Sequence, residues 1–309
     1  LDFSKIKTIS IKKRKHKVNV SQLGNVPHGE TFIDFYDSLP RILGGEDIKL
    51  TARAIARASS EGKEVILAMG AHPIKCGLSR IIIDLMESGI LTCVAMNGAG
   101  SLHDFELSYI GETSEDVAHT LQDGSFGMVE ETGKMLNDTM ESGISENIGA
   151  GESVGKFIYN SGFPHNDISI QAAGERLDID VTVHIAIGTD TIHVFPNADG
   201  AVLGKATFID LKKYTDHIAR LEGGVYINLG SAVVLPEVFL KTLSAARNMG
   251  HKVYNFTTVN MDMIHHYRPA ENVLKRPGLT GAQAYNLIGQ HEIMLPLLAS
   301  SIIIEKERM

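Results

Sequence analysis

"EVILAMGAHPIKCGLSRIIIDLMESGILTCVAMNG", residues 64–98, places two apolar runs, "EVILAMG" (64–70) and "TCVAMNG" (92–98), on either side of "LSRIIIDLMESG" (78–89). The outer runs are short and apolar without alternation, as strands buried on both faces of a parallel sheet are. The middle carries apolar residues at helical spacing, with Gly89 where a helix would stop. Strand, helix, strand is the repeating unit of a doubly wound α/β sheet.

The pattern continues along the chain. Further strands are expected at "VTVHIAIG" (181–188), "GGVYINLG" (223–230) and "HKVYNFTTV" (251–259), and further helices at 114–124, 210–224 and 236–251. The expected fold is α/β and Rossmann-like: a doubly wound, mostly parallel sheet with helices on both faces. Residues 1–44 read as an N-terminal extension and 45–309 as one domain. Residues 124–163 are the loosest part, several glycines among helical patches, and suit an insertion over the sheet.

Composition narrows the function classes. A 309-residue chain with 43% hydrophobic content buries a large core. Its net charge of −8 argues against a nucleic-acid surface, which needs clustered Lys and Arg. The one basic run, "KKRKHK" (12–17), reads as a solvated tail or an anion contact. Two cysteines make neither a disulfide framework nor a zinc-ribbon spacing, which suits a reducing cytoplasm. No membrane-length apolar run and no signal peptide is expected.

Ligands of such sheets bind beyond the carboxyl ends of the strands, so the polar, glycine-rich segments there carry the functional signal. "NGAGSLHDFE" (97–106) follows the second strand. Asn97, Gly98 and Gly100 there suit either a tight turn or backbone amides facing an anion. A helix starting near Ser101 would put His103 and Glu106 one turn apart on one face, with Asp104 an early-turn acid. "NIGAGESVGK" (147–156) fails both the phosphate-loop and the dinucleotide spacing and reads as a glycine-rich helix entry.

Other polar groups cluster after the remaining strands: Asp190, His193 and Asp199; Glu237; then Asp262, His265, His266 and Glu271. No H-E-x-x-H or compact ligand pair is present, so no metal ligands are assigned. Lys275 is either a solvated lysine or, if desolvated, an amine nucleophile. His291 and Glu292 in "IGQHEIMLPLL" (288–298) open an apolar helix, as a cap or as ligand contacts.

Taken in order over roughly 45–303, these segments resemble the deoxyhypusine synthase family. "AMGAHPIKCGLS" is similar to the family's strand, loop and "S-G-I-R" helix start. "NGAGSLHDFE" is similar to its alanine-glycine-glycine loop, "AIGTDT" to "A-L-T-D-G", "RPAENV" to "R-P-D-E-A-V" and "IMLPLLAS" to "V-F-P-L-L-V-A". "GSAVVLPE" stands where the family has a triple-glycine turn and a histidine. The resemblance implies a homotetramer that binds NAD, oxidises a polyamine such as spermidine and passes an aminobutyl group through a lysine imine to a protein lysine. It places NAD contacts on Gly70, His72, Asn97, Gly98, Ala99, Gly100, Asp190, Thr257, Thr258, Asp262 and Gln290, and amine contacts on Glu271, His193 and Glu237. The family's lysine lies in V-S-W-G-K; Pro277 takes its place here by ungapped count, the chain has no tryptophan, and Lys275 takes over only with a two-residue shift.

The resulting expectation is a cytoplasmic, NAD-dependent enzyme that oxidises a small cationic amine to an imine. His103 or His291 moves the proton, Asp104 and Glu106 orient His103, and Glu271 pairs with the amine. The rival readings are a metal-assisted hydrolase on the same fold and a non-catalytic NAD-binding protein.

Overall fold

The computed structural model describes residues 1–309, which divide by their internal packing into Leu1–Asp47 and Ile48–Met309. Three short 3-10 turns precede a helix at Phe32–Ser38 in the first unit, where Thr31 and Asp34 form a reciprocal capping box. The basic run 12–17 is fully exposed there.

The second unit is built on six strands: β1 (Val65–Met69), β2 (Cys93–Asn97), β3 (Asp180–His184), β4 (Val225–Leu229), β5 (Thr257–Asp262) and β6 (Gln283–Ile288). The helix α1 (Leu43–Ser60) crosses the division at Ile48, and the longer helices that follow are α2 (Ser79–Glu87), α3 (Gly98–Ile110), α4 (Glu130–Ser145), α5 (Ala150–Ser161), α6 (Ile170–Leu177), α7 (Gly200–Ala219), α8 (Val234–Asn248) and α9 (His291–Glu307). All strands are parallel, in the order β3-β2-β1-β4-β5-β6. Strand order therefore reverses between β1 and β4, the topological switch point where open α/β sheets bind ligands.

Pleating assigns the core. Ile66, Ala68, Cys93, Ala95 and Tyr226 face α7 and α8, and Tyr226 stacks on Phe239 at 3.8 Å and 10°. Leu67, Met69, Ile227, Leu229, Val259 and Met261 alternate with them and are buried on the opposite face. No helix is long and apolar enough to cross a membrane.

The sheet departs from the sequence reading at three places. β5 begins at Thr257 rather than His251, because the apolar Val253 and Phe256 that suggested a strand are buried loop residues. β6, an edge strand exposed at Gln283 and Ala284, has no strand-like apolar run. The loose stretch 124–163 folds into α4 and α5, and its glycines serve packing: a side chain at Gly151 would run into the main chain at Val181. The Gly151 amide is capped by the buried Asp210 carboxylate at 2.8 Å, which fits a helix entry.

At the amino edge of the sheet, His217 links two carboxylates, donating from Nδ1 to Glu64 and from Nε2 to Asp180, each at 3.0 Å. Arg220 reaches Glu64 at 2.7 Å and Lys213 reaches Asp180 at 3.2 Å. Burial alone would raise Glu64, but hydrogen bonds from His217, Thr92 and Arg220 outweigh it and hold the carboxyl at about 2. The His217 bond, against burial and with Lys213, holds Asp180 at about 2 as well. Burial lowers His217, yet its bonds to Asp180 and Glu64 win and raise it above 6.5. The imidazolium contribution is complete below pH 6.5 and is lost as pH rises through the folded value; the carboxylate contributions are complete above about pH 4.5 and are lost toward pH 2. The contribution of this cluster to thermal stability should thus be greatest between about pH 4.5 and 6.5. In His217→Gln the alkaline decline should shrink, and an unchanged decline would assign it to other groups.

Candidate active site

At the switch point the chain leaves β1 at Gly70 and β4 at Gly230, and the ladder runs one residue further, Gly70 N–H donating to Leu229 and Gly230 N–H to Met261, both at 3.0 Å. Gly230 has φ +63°, and a Cβ on it would come within 2.5 Å of His291 Nε2, so glycine is needed on both counts. His291, the first residue of α9, is 1% exposed and neither ring nitrogen has a partner. Its ring meets His72 edge to face, 5.4 Å between centroids. Burial lowers its pKa below 6.5, opposed by Asp262 and Glu292, so the imidazole is neutral at physiological pH. Asp262 ends β5 with Oδ1 accepting from Met263 N–H at 2.7 Å and Oδ2 4.0 Å from His266. Gln290 precedes α9 and accepts from Met294 N–H through its carbonyl.

A second group lies beyond β2 and β3. The helix α3 starts at once after β2, at Gly98 rather than near Ser101, with Asn97 Oδ1 accepting from Gly100 N–H at 3.0 Å. The Asp190 carboxylate lies over Gly98. His193 Nδ1 accepts from the amides of Gly188 (3.1 Å) and Asp190 (3.2 Å), so its proton is on Nε2, 3.7 Å from Asp190 Oδ2. Those two facing atoms are buried and otherwise unpartnered. Burial raises Asp190 and lowers His193.

His103 and Glu106 lie 3.7 Å apart on one face of α3, joined through Thr113. Thr113 gives its one hydroxyl proton to Glu106, so it accepts from His103 Nδ1–H at 2.6 Å and leaves His103 Nε2 as a lone pair. Burial would raise Glu106, but His103, Thr113 and Thr132 hold it below its ordinary value. Thr113 and Thr132 went unread in the sequence because neither lies in a strand-following motif.

Several expected site residues fall elsewhere. Asp104 does not orient His103: one residue on, it points to another face of α3 and accepts from Ser169 Oγ (2.6 Å), Ile170 N–H (2.8 Å) and Gln171 N–H (3.0 Å), capping α6. Thr257 and Thr258 open β5 at the amino edge, roughly 13–17 Å along the strand from Asp262. Their expected cofactor contact is therefore corrected, and Thr258 instead lies 3.3 Å from the Gln283 carbonyl. Lys275 pairs with Glu271 at 2.9 Å with its side chain 62% exposed, solvated rather than desolvated. Glu237 is held by Lys241, by Arg268 at 3.1 Å and by Asn272 at 3.0 Å. Pro277 is buried in a helical turn.

The loops around the crevice expose Ile187, Val194, Val233, Ile264, Tyr267 and Ile293, an apolar rim around the polar groups. The orphaned groups that a dinucleotide would meet at the switch point are the His291 nitrogens, buried without partners; the space beside Gly230 is filled by the His291 ring and that beside Gly70 by the Gly230 carbonyl. At the head of α3 the Gly100 amide is taken by Asn97, and the Asp190 carboxylate lies over Gly98, where it would repel a phosphate. No group of three or more His, Cys, Asp or Glu is placed to hold a metal ion, which leaves the hydrolase reading without a ligand set.

No protein-family model matches the sequence, and no curated protein is similar to it. Among solved structures, AgrE in a ternary complex with ornithine and NAD+ aligns at TM-score 0.55 and 14% identity, over 85% of this chain and 34% of AgrE. A protein assigned to the LOR/SDH group, from Methanococcus maripaludis S2, aligns at TM-score 0.55 and 12% identity, over 98% of this chain and 76% of that one. A protein assigned as a deoxyhypusine synthase, from Entamoeba histolytica, aligns at TM-score 0.48 and 12% identity, over 89% and 94%. The chain spans about a third of the length of the AgrE and ArgZ chains it matches. At these identities the likeness is one of architecture: the chain shares its Rossmann-like α/β fold with the AgrE and LOR/SDH structures.

Proposed function

We propose that the chain is an NAD-dependent enzyme that oxidises an amine-bearing substrate to an imine at the switch point, with His291 as the base. One observation carries this reading: a neutral imidazole is buried with both nitrogens unpaired, above a glycine that leaves it room. A buried polar group without a partner is costly and marks a place for a ligand. The ornithine and NAD+ bound by AgrE support the substrate class.

NAD, when bound, supplies the hydride acceptor. Loss of hydride from a carbon next to nitrogen requires a neutral amine, so the ammonium proton must first leave. His291 takes that proton on a free ring nitrogen, and Asp262 nearby favours the imidazolium that results. Asp262 and Glu292 also draw a cationic substrate toward the crevice, and the apolar rim limits water around it. The solvated Lys275 favours release of the imine by hydrolysis over transfer through a lysine.

Calorimetric titration of the purified protein with NAD tests the reading, after mass and absorbance checks for carried cofactor. Saturable binding is expected. A carboxylate at the carboxyl end of a strand suits a ribose hydroxyl, so Asp262→Ala should weaken binding about tenfold. With NAD bound, ornithine, arginine and polyamines are then screened for NADH absorbance. No NAD binding, with none carried through purification, would leave only the fold.

A further inference from the structure

A base that takes a proton from the substrate in every turnover must lose it again before the next, and His291 has no direct route to water. Its ring is 1% exposed, both nitrogens are buried, and Nε2 is set over Gly230. The charged and titratable groups that face it are Asp262 at the end of β5, Glu292 beside it on α9, and His72 after β1. His72 meets the ring itself, edge to face, with centroids 5.4 Å apart and planes at 80°. His72 is exposed to solvent, so the pair joins the buried base to bulk water.

The local sequence holds His72 in that place. "AHPIKCG" (71–77) leaves β1 and makes a single helical turn, His72–Lys75, whose second residue, Pro73, fixes the backbone. Pro73 and Ile74 are buried beneath the turn, and the His72 carbonyl accepts from Cys76 N–H at 2.9 Å. With those residues as the anchor, the His72 side chain is left on the outer side, between His291 and solvent.

The chemistry of the step favours an imidazole. A carboxylate is the weaker base, so Asp262 and Glu292 would take a proton from His291 only at a cost, whereas a second imidazole takes it near parity. Desolvation drives the proton outward, because the charged ring is more stable where water reaches it. Exposed side chains change rotamer in picoseconds to nanoseconds, which lets the His72 ring swing between His291 and bulk water many times per turnover.

We infer that His72 relays the proton of His291 to solvent. This rests on the amine-oxidation reading above. His291, protonated by the substrate ammonium, gives that proton to a ring nitrogen of His72, across a direct hydrogen bond or one bridging water. The His72 imidazolium then gives a proton to water or to a buffer base, and both rings end neutral. The electrons leave separately with the hydride, so the relay carries the proton alone.

The test uses the whole protein and two variants at this exposed position. His72→Phe keeps an aromatic ring against His291 and removes both nitrogens; His72→Ala leaves a gap that free imidazole fills. Without substrate, the His291 ring proton should exchange with water about tenfold more slowly in His72→Phe than in the wild type, as read by heteronuclear NMR of the histidine rings. In turnover, both variants should lose kcat by about tenfold or more, and added imidazole should restore His72→Ala but not His72→Phe. Unchanged exchange in His72→Phe, or a loss in His72→Ala that imidazole does not restore, overturns the relay and leaves the amine-oxidation reading standing. Full activity in His72→Phe overturns it as well and makes the ring contact one of packing. A wild type that turns over no amine overturns the amine-oxidation reading and the relay with it.

Discussion

Replacing Asp104 with alanine should lower the stability of the protein by about 3 kcal/mol or more, the sum for three donors left without an acceptor in a dry interior. Those donors are Ser169 Oγ and the amides of Ile170 and Gln171, which open α6. Asp104 is completely buried, so water cannot replace it. Chemical denaturation followed by circular dichroism measures the loss directly. Asp104→Asn keeps one acceptor oxygen and should fall between the two. Burial, against those three hydrogen bonds, pushes the Asp104 carboxyl up to about 6 from 3.8. The folded form thus holds its proton more tightly than the unfolded chain, and wild-type stability from this group declines as pH rises from about 4 to about 6. The uncharged asparagine lacks that decline, so the gap between the two proteins should narrow as pH rises from about 4 to about 6 and stay constant above. If Asp104 served only to orient His103, Asp104→Ala would instead keep its denaturation midpoint and lose turnover.

That one residue marks where the sequence stops being informative. A helix packed on several sides, as α3 is, gives no periodic cue to the direction of any one side chain. His103 and Asp104 are adjacent in the chain and serve different neighbours, Thr113 and the head of α6. The first two strands were legible because a strand buried on both faces must be apolar at every position, and "VILAM" is. β5 was misplaced because its own residues, "TTVNMD", carry the polar Asn260 and Asp262, while the apolar signal came from the preceding loop. Buried asparagines in a strand read as breakers unless their partners on the neighbouring strands are known. The hydrogen-bonded row Asn228–Asn260–Asn286 is therefore invisible one strand at a time, although "YINLG", "TVNMD" and "AYNLI" share a central asparagine once aligned. His291 was legible as a candidate because "GQHE" follows a polar break and opens an apolar helix. What the sequence lacked was its burial against Gly230 and His72, which only the crossing of β4 and α9 creates.

Replacing His291 with alanine should lower turnover roughly 10²–10⁴-fold, the usual contribution of a positioned base, while leaving the NAD affinity within about threefold. The separation is expected because the proton is removed in the chemical step, after the dinucleotide has bound. The pH profile supplies a readout that a packing role would not move. His291 acts as a base only when neutral, and burial lowers its pKa below 6.5. The acid limb of kcat should therefore lie below pH 6.5, with full activity above it. Asp262 opposes that lowering, so Asp262→Asn, assayed at saturating NAD, should move the limb to still lower pH. A limb above 6.5, or one that Asp262→Asn leaves in place, would assign it to another group. His103 is the competitor, with a free Nε2 and a Thr113–Glu106 support behind its Nδ1. If His103→Ala abolishes turnover and His291→Ala spares it, the base lies beyond β2 and His291 is left as a buried contact of the cofactor. Buried imidazoles with two unpaired nitrogens are costly, and that cost favours the assignment to His291.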